Sequence, residues 1–224
     1  MVDEPLRIEV ALPNGTATVP ASWAEPENDP GRGTVIIAHG AGTGMEHPFL
    51  VGLAGALNQS GFAAVRFDFP YRAQGRRMPG PAAHAVAAWN AVLAAVRART
   101  EGPVWASGRS YGGRMASMAA AEGMEVDGLV YLGYPLHPPG RPEKPRVEHL
   151  PSVIAPQLFV SGTVDPFIQP LEQFEEAVAS CQDARIAWID GGGHSFEVKG
   201  NKRPAAIIGA SLAPLVVDFA ATAR

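Results

Sequence analysis

Apolar and polar residues alternate from Leu6 to Leu12, and after Pro13-Asn14-Gly15 a second short run continues from Thr16 to Val19. Period two puts successive side chains on opposite faces of a strand, so the two runs predict an antiparallel hairpin. A polar loop is expected next. From Thr34 the pattern changes. Thr34 to Ala38 is apolar without alternation, as in a strand covered on both faces, and similar runs recur at Phe62 to Phe67, Val104 to Ala106, Gly128 to Leu132, Gln157 to Val160 and Ile186 to Ile189. Helical spacing lies between them, in Phe49, Leu50, Leu53 and Leu57, in Val86, Trp89, Leu93 and Val96, in Met115 to Ala121, and in Leu171 to Val178. Ala205 to Ala221 is expected to be helical, with a kink or restart at Pro214. An opening hairpin followed by alternating strands and helices predicts an α/β fold: a mostly parallel sheet with helices on both faces and ligands beyond the carboxyl ends of its strands.

Composition narrows the class. The 224 residues are 46% apolar, enough for a sizeable core, and the length suits one α/β domain over residues 1–224. With 18 Lys+Arg against 22 Asp+Glu and no long basic run, the chain carries no nucleic-acid footprint, so a small molecule is the expected partner. Cys181 is the only cysteine, which excludes an internal disulfide and a cysteine-based zinc site. The acidic start, Met1-Val2-Asp3-Glu4-Pro5, does not resemble a secretory signal, and no apolar run is read as approaching membrane-spanning length; a cytoplasmic protein is the expectation.

Candidate chemistry enters at Gly108-Arg109-Ser110-Tyr111-Gly112-Gly113, between the apolar Val104-Trp105-Ala106 and the helical stretch from Arg114. Strand, glycine-crowded turn and helix around a serine is the context of a nucleophile elbow. A sharp turn exposes the hydroxyl, and side chains two positions before and two after it would collide, which is why glycine stands there. The helix also points its N-terminal amides at the place where an oxyanion would form.

A serine hydroxyl needs a histidine base and a carboxylate to orient that base. His194, in Asp190-Gly191-Gly192-Gly193-His194-Ser195-Phe196 after the last strand, is the candidate base, its glycines letting it reach across the sheet. Asp165, in Gly162-Thr163-Val164-Asp165-Pro166, is the candidate acid; Asp190 and Asp68 compete with it, and an aspartate before proline is also common as a simple turn residue. The glycine-rich His39-Gly40-Ala41-Gly42-Thr43-Gly44 follows another strand, so the Ala41 amide (or a neighbour) and the Tyr111 amide form the expected oxyanion hole. The loop fits neither the dinucleotide nor the P-loop glycine pattern. His39 is expected to be structural.

These segments resemble the α/β-hydrolase superfamily over essentially the whole chain, specifically its small members similar to dienelactone hydrolases. The closest likeness is to a subfamily of uncharacterised bacterial hydrolases related to an animal testis-expressed protein and to a subunit of the non-specific-lethal chromatin complex. It is carried by His39 to Gly42, by Arg66-Phe67-Asp68-Phe69-Pro70-Tyr71 with Gly75-Arg76-Arg77, by Gly108 to Ser117, by Gly133-Tyr134-Pro135-Leu136-His137-Pro138-Pro139-Gly140, and by His194-Ser195-Phe196. The chain order Ser110, Asp165, His194 is that of an α/β-hydrolase, which favours Asp165 as the acid. Dienelactone hydrolases use cysteine as nucleophile, so Ser110 departs from them and lactone specificity does not carry over. Only about fifteen residues, Pro135 to Leu150, stand where many relatives insert a lid, and their prolines predict a stiff rim loop with little or no lid.

The resulting expectation is a serine hydrolase acting on a carboxylic ester or thioester, without metal or organic cofactor. A catalytically silent interaction module on the same fold, or an acyltransferase using the same residues, are the alternatives. Arg72, Arg76, Arg77, Arg109, Arg114 and Arg146 fall in loops or turns that could share one mouth. They would either recognise an anionic substrate or, as the favoured reading, pair with acids such as Asp68, Glu143 and Glu148. Arg109 and Met45 are named as substrate-binding candidates, with His47 and Tyr111 as further wall residues.

Overall fold

The computed structural model describes residues 3–26 and 31–222. Its centre is an eight-stranded sheet built from β1 (Asp3–Leu12), β2 (Gly15–Ala24), β3 (Thr34–Ala38), β4 (Ala63–Phe67), β5 (Val104–Arg109), β6 (Gly128–Leu132), β7 (Gln157–Gly162) and β8 (Ala184–Ile189), in the order β1-β2-β4-β3-β5-β6-β7-β8. Strands β3 to β8 run parallel, and β2 of the opening hairpin is antiparallel both to β4 beside it and to the outer strand β1. The connecting helices are α1 (Pro48–Gln59), α2 (Pro70–Ala73), α3 (Ala82–Arg97), α4 (Tyr111–Ala121), α5 (Leu171–Ala179), α6 (Ala205–Ser211) and α7 (Ala213–Thr222).

The unalternating strands are apolar throughout because both faces are covered. Ile36 and Ala38 of β3 face a cluster that includes α3, α4 and α5, whereas Val35 and Ile37 face α1, α6 and α7. The same division repeats along β6, with Leu129 and Tyr131 on one side and Val130 and Leu132 on the other. Each strand end is thereby held rigidly where its loop begins.

Two expectations needed correction, and a third element was not foreseen. The hairpin is longer than the alternation suggested: β2 runs on to Ala24 and buries Trp23. Pro20 obscured this in the sequence, but it precedes the β2–β4 ladder, which begins at Ala21, so the missing N–H breaks no pairing there. Second, Ala205–Thr222 is long and apolar enough to cross a membrane by length and composition, with mean hydropathy 1.8 over 18 residues. Here it is two helices restarting at Ala213, with Pro214 in the first turn of α7, and Ile208, Leu212, Val216 and Phe219 packed under the sheet. Third, α2 had no periodic signal, being a single turn. The connection from β6 to β7 carries only a 3-10 turn at Leu150–Ser152, so no helical lid covers the strand ends.

Candidate active site

Ser110 joins β5 to α4 with φ 49° and ψ −113°, a left-handed conformation that a residue with a Cβ adopts only at a cost of about 1–3 kcal/mol. The surrounding glycines explain how it is tolerated. A Cβ on Gly108 would lie 2.3 Å from the Gly113 nitrogen, and one on Gly112 would lie 2.7 Å from the His39 carbonyl oxygen. The Ser110 N–H donates to Leu132 at 2.9 Å, tying the elbow to the neighbouring strand.

The turn after β7 presents Asp165, fully buried. One carboxylate oxygen accepts the Phe167 N–H at 2.8 Å and the other meets Nδ1 of His194 at 2.8 Å. His194 arrives on the glycine loop after β8, which passes so close to β7 that a Cβ on Gly162 would sit 2.0 Å from the Gly192 oxygen. Phe196 anchors that loop beneath, fully buried and stacked on Phe49. The other ring nitrogen, Nε2, lies 2.8 Å from Ser110 Oγ. An ionised carboxylate only accepts, so Nδ1 carries the proton toward Asp165 and Nε2 is free to accept from the serine. The Phe167 ring stacks on the imidazole, 4.0 Å between centroids.

The competing carboxylates lie elsewhere. Asp190 is exposed beside Thr163, and Asp68 accepts the Met45 N–H at 2.7 Å. His39 is buried and holds its loop: Nδ1 donates to Gly40 at 2.8 Å and Nε2 accepts the Phe69 N–H at 3.2 Å. Burial pushes its pKa down, so it stays neutral.

Ser110 and His194 line a cavity of about 380 Å³, together with Gly40, Ala41, Thr43, Tyr111 and Phe167. The Ala41 and Tyr111 amides have no acceptor among the described residues. The loop bearing Ala41 touches the elbow, since a Cβ on Gly40 would lie 3.7 Å from that of Ser110. Burial raises the Tyr111 phenol well above its ordinary pKa, which keeps it neutral.

Of the arginines, Arg109, Arg114 and Arg146 line this cavity. Arg109 donates to Ser195 Oγ at 2.6 Å and lies over the Phe49 ring, and burial lowers its pKa. Arg76 instead lines a second cavity of about 250 Å³ beyond Tyr111, Arg77 is exposed, and Arg72 sits against Gly44. The favoured ion pairing is also corrected: among the described residues, none of the six has a carboxylate within 4 Å. Met45 does not line the cavity. Its main chain is fixed between Asp68 and the buried Arg66, which also meets Asp3 and Glu46. His47 caps α1 instead of forming the wall. Phe167 and Ser195 were missed by sequence reasoning; Ser195 adjoined a named residue, but nothing in the pattern marked Phe167. No group of three or more His, Cys, Asp or Glu able to hold a metal occurs among the described residues.

A mostly parallel sheet that gathers serine, imidazole and carboxyl at its strand ends, under no lid, has the α/β-hydrolase fold. The chain belongs to the alpha/beta hydrolase domain family, whose family model matches residues 31–207. Among solved structures it is similar to an alpha-beta serine hydrolase homologue from Coxiella burnetii, at 22% identity and TM-score 0.75 over 97% of each chain. A lidless α/β serine hydrolase from Xanthomonas campestris matches at 21% identity and TM-score 0.74, over 98% of this chain and 96% of that one. A dienelactone hydrolase from Anabaena variabilis matches at 24% identity and TM-score 0.64, over 94% and 95%.

Proposed function

We propose that this chain is a one-domain serine hydrolase of small carboxylic esters or thioesters, working through an acyl-enzyme on Ser110. The observation that carries the reading is the unbroken line from Asp165 through His194 to Ser110, each step 2.8 Å, ending on a serine in a strained turn. His194 Nε2 takes the hydroxyl proton as Oγ attacks the carbonyl carbon. The developing oxyanion is received by the Ala41 and Tyr111 amides, and one such donor typically contributes about 3–4 kcal/mol. The imidazolium, steadied by Asp165, then protonates the leaving alcohol or thiol. Water attacks the acyl group by the same route in reverse, restoring Ser110. Among family members, the motifs at Arg66, Gly133 and His194 support kinship with the dienelactone-hydrolase-like group and its testis-expressed and chromatin-complex relatives.

Labelling by a fluorophosphonate probe, compared between wild type and Ser110→Ala, tests the nucleophile, followed by esters and thioesters of increasing chain length. Labelling and turnover confined to the wild type are expected. Labelling retained in Ser110→Ala overturns the assignment.

A further inference from the structure

Three guanidinium groups share the cavity around Ser110, in a chain with more acids than bases. Three arginines elsewhere, Arg66, Arg97 and Arg99, each meet a carboxylate. Around Ser110, among the described residues, no carboxylate reaches an arginine directly, although the charge of Glu197 acts on Arg109 from beyond ion-pair distance. Arg109, Arg114 and Arg146 have no carboxylate within 4 Å among the described residues. The Nε atoms of Arg109 and Arg114 are buried without any acceptor, and an unpaired buried donor is costly, more so where the group is charged.

The fold also fixes where these side chains start. Arg114 follows Ser110 by one helical turn, its N–H donating to the Ser110 carbonyl at 3.1 Å. Arg146 is pinned on the rim loop from both sides, its N–H donating to Leu136 at 2.8 Å and its carbonyl accepting the Tyr134 hydroxyl at 2.9 Å. Burial and the neighbouring Arg114 both lower the Arg146 pKa, so the two cations feel each other. Arg109 has one nitrogen committed to Ser195 and one face to Phe49, which leaves Arg114 and Arg146 as the pair with unspent donors. Each presents a planar fork suited to two oxygens of a carboxylate or phosphate.

We propose that Arg114 and Arg146, with Arg109 beside them, bind an oxyanion carried by the substrate, so that the preferred substrates are anionic esters or thioesters bearing a carboxylate or phosphate. This rests on the serine-hydrolase reading above. An anion there supplies the missing acceptors and separates two like charges, both at the moment the scissile carbonyl reaches Ser110.

The test pairs anionic and neutral substrates of similar size. 1-Naphthyl hemisuccinate against 1-naphthyl butyrate places the anion on the acyl side; 4-acetoxybenzoate against its methyl ester places it on the leaving group. The quantity read is the ratio of kcat/KM, anionic over neutral, in wild type, Arg114→Gln, Arg146→Gln and the remote, exposed Arg7→Gln at fixed ionic strength. A wild-type ratio of about tenfold or more in at least one pair is expected, falling at least about tenfold in Arg114→Gln or Arg146→Gln and holding in Arg7→Gln. A ratio near one in both pairs, or one that Arg114→Gln and Arg146→Gln leave unchanged, overturns the proposal while leaving the hydrolase reading intact. Where no ester is turned over and no probe labels, the hydrolase reading fails, and calorimetric titration of Ser110→Ala with succinate and with inorganic phosphate decides the anion site by itself. Saturable binding that Arg146→Gln abolishes supports it, and its source is then read from which anion binds; absence of saturable binding for both overturns it.

Discussion

The Phe167 ring lies nearly parallel to the His194 imidazole at a tilt of 27°, and the N–H of the same phenylalanine donates to the carboxylate that holds that imidazole. One residue therefore steadies the proposed base and acid together. Phe167→Ala is expected to lower kcat on the order of 10- to 100-fold, because small displacements of a reacting group cost about that much. Phe167→Tyr, which keeps the stacked ring, should restore most of it. Equal kcat in Phe167→Ala and wild type would remove the positioning role.

Asp165 and Asp190 separate in the same assay. Asp165→Asn should cost about 10³–10⁴ in kcat with the fold retained, since the amide no longer fixes the Nδ1–H tautomer. Asp190→Asn, exposed and turned toward Thr163, should change kcat less than about twofold. The reverse ranking would move the acid to Asp190.

Two glycines close to Ser110 should respond differently to alanine. Gly112 lies in the first turn of α4, where helix propensity alone favours alanine by about 1 kcal/mol. The new Cβ would stand 2.7 Å from the His39 oxygen and 2.8 Å from that of Ala38, and overpacking of this kind costs about 1–3 kcal/mol, so a net loss of stability is expected. At Gly40 the nearest atom would be 3.6 Å away, and Gly40→Ala should leave the unfolding midpoint within a degree or two of wild type, a change of about 0.5 kcal/mol or less. Chemical denaturation of both variants reads the difference.

Stability should fall on mild acidification. Burial, reinforced by Arg114, lowers the His149 pKa to about 4, and burial lowers that of His39 as well. Between an unfolded value near 6.5 and the folded value, the unfolded chain binds more protons, so this contribution is complete above about pH 6.5 and is lost as pH drops toward 4. His149 Nε2 is 2.7 Å from Ser117 Oγ, a serine–histidine contact fastening α4 to the 3-10 turn at Leu150–Ser152. His149→Gln should flatten the pH dependence of the denaturation midpoint in that window; an unchanged slope would place the titration elsewhere.

The order of strands and helices was readable because burial on both faces leaves an unmistakable apolar run, as in Val35-Ile36-Ile37. The candidate triad was readable because glycine marks where the backbone is crowded, and because strand ends of a parallel sheet fall on one edge. What stayed hidden was set by contacts between distant segments. Met45 looked like a wall residue from its place after the Gly40 loop, yet Arg66 and Asp68 hold its main chain away from the cavity lining. Phe167 acquires its place only from the turn that Asp165 closes. Six arginines in loops suggested one mouth, but α2 and the segment after it carry Arg72, Arg76 and Arg77 elsewhere. The stretch near the carboxyl end was read as helical with a restart at Pro214, as found, but its membrane-spanning length and hydropathy were overlooked; hydropathy alone does not tell a bilayer from the underside of a sheet.

The short proline-bearing link from β6 to β7 leaves the mouth above Ser110 uncapped. In the proposed mechanism solvent would reach the acylated serine without any part of the chain having to swing aside, and no opening or closing step would gate turnover. The walls alone choose what enters, and the distal portion of a bound molecule stays in bulk water. An acyl donor attached to a carrier far bulkier than 380 Å³ is therefore as admissible as a free metabolite.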